Sequence, residues 1–207
     1  MELNMALLIL GLVLFLGAHS TRIFAENWRQ AALERLGEKA YKGAYTLVSL
    51  LGFGLLMFGF DQVRWDSPLL WAPPVWVKHA AALLMLLSLV LLASAYTPRN
   101  AIKVKLHHPM VLSVKVWALA HLLANPRLAD VVLFGAFLLW SVLNFRAARQ
   151  RDRLAAASLT PGQGSGALEP EVSGAATWRA IGIGVVVWAF LLSRGHAWLF
   201  GVSPLGM

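Results

Sequence analysis

The chain has no cysteine, which excludes disulfides, iron–sulfur clusters and thiolate nucleophiles. It is also poor in charge. Only 14% of its residues are Asp, Glu, Lys or Arg, against about 25% in an average soluble domain. No acidic residue stands in the middle of an apolar segment, which argues against a proton pump or cation transporter. There is no phosphate loop, no dinucleotide Gly motif and no H-E-x-x-H. No internal repeat of about 20–50 residues is visible.

What the chain does have is apolar length. It is 58% hydrophobic with a mean hydropathy of +0.65. Six apolar segments stand out: Leu3–His19, Gly43–Phe60, Val75–Tyr96, Pro109–Ala124, Ala129–Phe145 and Trp178–Phe200. Several approach the roughly 20 residues that a helix needs to cross the hydrocarbon core, and their helices are expected to extend into the flanking polar residues. Open sheets cannot cross lipid. The expected class is therefore an all-α membrane protein, a six-transmembrane-helix bundle forming one domain over residues 1–207. Ser20–Lys42 is polar and rich in helix formers, and reads as a cytoplasmic or interfacial helix. Residues 158–176 are rich in Gly, Ser and Pro and read as a flexible linker before the last helix.

The net charge of +8 lies in loops and does not form a nucleic-acid surface. Arg22, Arg29, Arg35, Lys39 and Lys42 follow the first segment. Arg99, Lys103 and Lys105 follow the third, and Arg146, Arg149, Arg151 and Arg153 follow the fifth. The second and fourth connections carry little beyond Arg64, Lys78 and Arg127. Basic loops stay in the cytoplasm, so both termini are expected outside the cytoplasm. The leader has Glu2 and no basic residue, unlike a cleaved signal. Trp28, Trp65, Trp71, Trp76, Trp178 and Trp198 stand near segment ends, as in interfacial belts.

The chemistry-bearing residues are six histidines, each near an end of an apolar segment. Imidazole is costly in hydrocarbon, so such histidines usually mark a site. It is also a standard haem ligand and the commonest metal ligand. The expected topology sorts the six by side. His19, His107 and His108 lie on the inner side; His79, His121 and His196 lie on the outer side. His108 and His121 are about 20 Å apart along one helix, so one site does not easily use both. Two axial ligands of one haem approach from opposite faces and normally come from different helices. His19 with His107 or His108 meets that requirement inside; His79 with His121 or His196 meets it outside. The outer trio could hold a second haem or a transition metal; the alternative is a hydrogen-bonded cluster that locks helix ends. For any single histidine the plain alternative is an interfacial group bonded to water or lipid headgroups. Pro109 suits the first turn of a helix. Lys115 lies on the same helical face as His108. It either snorkels to the inner surface or supplies a cation to a haem propionate or anionic substrate.

LGAHSTRIF, the PPVWVKH run, IKVKLHHPM, WALAHLLANPRLADVVLFGAFLLW and the C-terminal GHAWLFGVSP closely resemble the NnrU family of bacterial inner-membrane proteins. The resemblance covers nearly the whole chain outside the linker, and one departure is Asn125-Pro126 where Asn-Gly is usual. It implies a role in denitrification, linked to nitrite or nitric oxide reductase function. The family is in turn similar to 15-cis-zeta-carotene isomerase, an integral membrane haem b enzyme with axial ligands in an early His-Ser and a later His-Pro motif. The matching residues here are His19 before Ser20 and His108 before Pro109, with His107 as the natural substitute. A membrane methyltransferase with a His-Pro motif is more distant, because Met110, Val111 and Leu112 stand where its Tyr is expected. Three readings follow from these resemblances. The first is a haem b protein with a redox or sensing role in nitrite and nitric oxide metabolism, served by a reductase or an electron donor. The second is a haem-dependent cis–trans isomerase of a lipophilic polyene, and the third a non-catalytic assembly partner of a membrane reductase.

Overall fold

A computed structural model describes residues 2–158 and 171–205. The described chain is almost entirely helical and contains no strand, only an isolated bridge between Leu69 and Arg127. In chain order the helices are α1 (Glu2–His19), α2 (Thr21–Phe24), α3 (Glu26–Leu36), α4 (Glu38–Val63), α5 (Val75–Tyr96), α6 (Ala101–Leu106), α7 (Pro109–Ala124), α8 (Leu128–Ala157), α9 (Gly174–Phe190) and α10 (His196–Phe200). A π-helical turn, Leu191–Gly195, joins α9 to α10. Five stretches are long and apolar enough to cross a membrane: α1, α4, α5, α8 and the continuous Gly174–Phe200. This is a multi-pass, all-α membrane protein. The expected sixth crossing, Pro109–Ala124, is apolar but only 16 residues long, or about 24 Å. His108-Pro109 and Asn125-Pro126 stop it at each end, since the residue before a proline is pushed out of the α region.

The expected single helix over Ser20–Lys42 is instead divided. α2 and α3 are separate, and Gly37 at φ 77 breaks the chain before α4, so Lys39 and Lys42 belong to the first turns of that helix. The expected linker over residues 158–176 lies largely outside the described residues. Its last three residues are helical, because the Ser173 hydroxyl caps the start of α9 by accepting from Ala176 N at 3.2 Å.

The chain divides into two compact units. The first comprises Met1–Ala72 and Asn125–Asn144. Here α1 and α4 pack antiparallel, with Leu8 against Gly59, Gly11 against Leu56 and Phe15 against Gly52. A β-carbon at Gly11 or Gly59 would fall on the partner's backbone nitrogen, and one at Gly52 would lie 2.6 Å from Phe15 N. Small residues that let backbones meet are the usual device for helix association in lipid. Gly17 and Gly54, equally apolar in context, face open space and take no part. The connection after α4 is tied to the start of α8. Arg127 Nη1 donates to Trp65 O and Ser67 O, both at 2.8 Å, and Leu70 N donates to Pro126 O at 2.8 Å.

The second unit comprises Pro73–Ala124 and Phe145–Met207, and α5 is its centre. Against α7 it places a buried pair, Ser88 Oγ donating to Ser113 O at 2.9 Å. Against α9 it packs antiparallel, with Gly184 on Val90 and Trp188 Nε1 donating to Ala82 O at 2.8 Å. The corner after α5 is built on Asn100, which is fully buried. Its amide donates to Ser94 O and Thr97 O, and its carbonyl accepts from Lys103 N to cap α6. The six tryptophans near segment ends are all exposed, where an interface would receive them.

Candidate functional site

His19 closes α1 in the first unit. Its Nδ1 lies 2.7 Å from Phe15 O. A carbonyl only accepts, so Nδ1 carries the proton and Nε2 keeps the lone pair. That is the usual state of a metal-ligating histidine, whose other nitrogen is held by a carbonyl or carboxylate. Three aromatic rings surround it: Phe15 at 4.3 Å, Tyr45 of α4 at 5.3 Å and Trp140 of α8 at 6.3 Å, edge-on. The indole Nε1 of Trp140 is buried with no hydrogen-bond partner among the described residues.

His108 belongs to the second unit and is held differently. Its Nε2 lies 2.8 Å from Asp152 Oδ2, with Arg149 Nη1 on the same oxygen at 3.5 Å. A carboxylate only accepts, so here Nε2 donates. The ring meets Phe145 edge-on at 6.2 Å. The backbone beside it is strained. His107 has φ 61 and ψ −44, and His108 N donates to Leu106 O at 2.7 Å. This is the rare γ-turn with positive φ at its centre. It leaves His107 exposed and His108 half-buried, so the two neighbours are not equivalent. Pro109 is buried at the first position of α7, as its ring prefers. Lys115 is half-buried partway along α7 and makes no ion pair among the described residues.

Of the expected outer trio, the second unit brings two together. His121 Nδ1 is 3.0 Å from Trp117 O, and His196 Nδ1 is 2.7 Å from Val202 O. Their rings stack with centres 6.4 Å apart. The π-helical turn immediately precedes His196, and such turns are frequent at functional positions. His79, in the first turn of α5, is exposed and joins neither of them. Among the described residues no group of three or more His, Asp or Glu is arranged to hold a metal ion.

Sequence reasoning missed Asp152, Trp140 and Tyr45. Asp152 carries a faint signal, as the one acid in a run with Arg149, Arg151 and Arg153. The two aromatics carry none, because their approach to His19 depends on how α4 and α8 pack.

Together these features define a multi-pass helical membrane protein whose polar chemistry is concentrated in imidazoles at helix ends. The chain belongs to the NnrU protein family, whose pattern it matches over residues 7–204. No curated protein and no solved structure matches it.

Proposed function

We propose that this chain is a haem b protein of the bacterial inner membrane, acting in nitrite and nitric oxide metabolism, with His19 and His108 as the residues that would hold the haem iron. The observation that carries this reading is the state of His19. Its Nδ1 is fixed by a carbonyl, its Nε2 has the lone pair, and aromatic rings surround it. Such a side chain fits an axial ligand. His108 enters by its His-Pro motif. Its Nε2 donates to Asp152, so ligation through that nitrogen requires the carboxylate to let go. His108 is therefore the exchangeable ligand of the two, and Asp152 the group that competes for it. Lys115, on the His108 face of α7, is the cation for a propionate. Bound haem would supply a one-electron couple and a site of affinity for nitric oxide. A reductase or an electron donor of the same membrane is the partner this chemistry needs. The α7 segment serves as the sixth crossing, which places both termini in the periplasm as the basic loops require.

The test is a reduced-minus-oxidised absorption spectrum of the purified protein and of three variants. Haem bands are expected in the parent, absent in His19→Ala and retained in His121→Ala. A parent free of haem after expression in haem-replete cells sinks the reading. Loss in His121→Ala with retention in His19→Ala and His108→Ala moves the site to the other histidines. For the topology, a C-terminal reporter active only in the cytoplasm should stay dark.

A further inference from the structure

The second unit contains an open groove of about 440 Å3 between α5 and α9. Its walls are apolar: Leu92 and Ala93 on one side, Ile183 and Val187 on the other. Gly184 makes the floor, since a β-carbon there would lie 2.6 Å from Val90 Cα. At one end stand Tyr96 and Arg179. Both are exposed, and among the described residues Arg179 has no hydrogen-bond or ion-pair partner.

We propose that this groove binds one anionic phospholipid, with an acyl chain along the α5–α9 walls and the headgroup phosphate on Arg179. Three observations support that occupant. First, the depth is right. Tyr96 ends α5 and Trp178 lies in the first turns of α9, both strongly exposed, and such aromatics sit at headgroup level. Second, the charge is complementary. An unneutralised guanidinium at that level matches a phosphate, which Arg can grip with two parallel bonds. Third, the groove is preformed. At the headgroup end Ser173 N donates to Arg99 O at 2.8 Å and Ala101 N to Thr177 Oγ1 at 2.9 Å. At the far end Trp188 Nε1 holds Ala82 O at 2.8 Å. Its walls thus need no ordering when a chain lodges. From Arg179 to Val187 the groove runs about 12 Å along α9, close to the roughly 15 Å of hydrocarbon in one leaflet. An uncharged lipophilic chain would fill the walls but leave Arg179 unanswered.

The full-length protein in detergent is titrated with phosphatidylglycerol and with phosphatidylcholine of the same acyl chains, and bound lipid is counted by native mass spectrometry. One phosphatidylglycerol should be retained with about fivefold or greater preference, the worth of one cation near an anionic headgroup. Arg179→Gln should remove that preference and leave phosphatidylcholine unchanged. Ala93→Phe should weaken both lipids by filling the groove. If Ala93→Phe loses helix content by circular dichroism, Ile183→Trp, on the opposite and exposed wall, takes its place. Equal affinity for the two lipids overturns the proposal. So does a preference that survives Arg179→Gln, because the selectivity would then arise elsewhere. Unchanged binding in the groove-filling variant overturns it as well.

Discussion

The two units solve helix association in different ways. The first brings α1 and α4 together by deleting side chains: Gly11, Gly52 and Gly59 let backbone press on backbone. The second joins α5 to its neighbours with polar groups as well, through the Ser88–Ser113 pair, the Trp188 indole on Ala82 O and the Asn100 corner. In lipid there is no hydrophobic drive between helices, so dispersion packing and hydrogen bonds are the means available. A glycine contact is intolerant of any added atom. A hydrogen-bonded contact can lose its polar atoms and keep its shape. The α1–α4 glycine contacts should therefore fail abruptly on small changes, and the hydrogen-bonded contacts of α5 by increments.

The histidines follow the same division. His19, in the first unit, is fixed by its own helix through Phe15 O and surrounded by rings that do not titrate at neutral pH. His108, in the second, is held by an ionisable carboxylate and stands beside a strained turn. One imidazole is held by a backbone carbonyl of its own helix and the other by a side-chain carboxylate.

The largest effect is expected at Gly52. Gly52→Leu drives a side chain into the α1 backbone and should cost about 3 kcal/mol or more, the upper range for overpacking. The readout is the yield of monodisperse protein in detergent and its thermal midpoint. Gly54→Ala, two residues away in open space, should change the midpoint little. Equal damage from the two would end the argument that contact geometry, and not glycine content, matters.

Next comes Asn100→Ala in the second unit. It strands two buried carbonyls and the first turn of α6, at about 1–3 kcal/mol for unsatisfied buried groups. A stability curve indistinguishable from the parent's would show that water replaces the amide there. Asp152→Ala should cost little, because the His108–Asp152 pair is open to solvent and screened. If the proposed haem ligation is right, this variant should raise haem occupancy at fixed haem concentration, since Asp152 no longer competes for His108. Lower occupancy would mean that the carboxylate supports ligation instead. Ser88→Ala should also cost little, about 0.6 kcal/mol, the average for a hydrogen bond between membrane helices. A loss as large as that of Gly52→Leu would erase the distinction between the two units.

Much of the fold was legible from hydropathy alone. Each of the six apolar segments is helical, and two extend well into polar flanks as expected: Gly43–Phe60 grew to Glu38–Val63, and Ala129–Phe145 to Leu128–Ala157. The limit came at α7, where apolar composition announced a crossing but the prolines at each end set its length. Glycine content alone does not say which glycines pack. Gly11 and Gly17, Gly52 and Gly54, Gly182 and Gly184 look alike in sequence, yet one of each pair makes a close contact and the other meets open space. Helical phase decides which, and phase is set by the partner helix.

By itself the sequence determined the class, the helices, the positions of the histidines and the family, because these depend on composition and local pattern. Local helix geometry set which nitrogen His19 presents, and only the tertiary structure set it for His108. His19 offers Nε2 because Phe15 O is one turn behind it on the same helix. His108 gives its Nε2 to Asp152, 44 residues away. The tertiary structure also decided that His121 meets His196 while His79 stands apart. The reason is physical: a ring's protonation and direction are fixed by whichever acceptor lies within about 3 Å, and for all but the nearest turn that acceptor is chosen by packing.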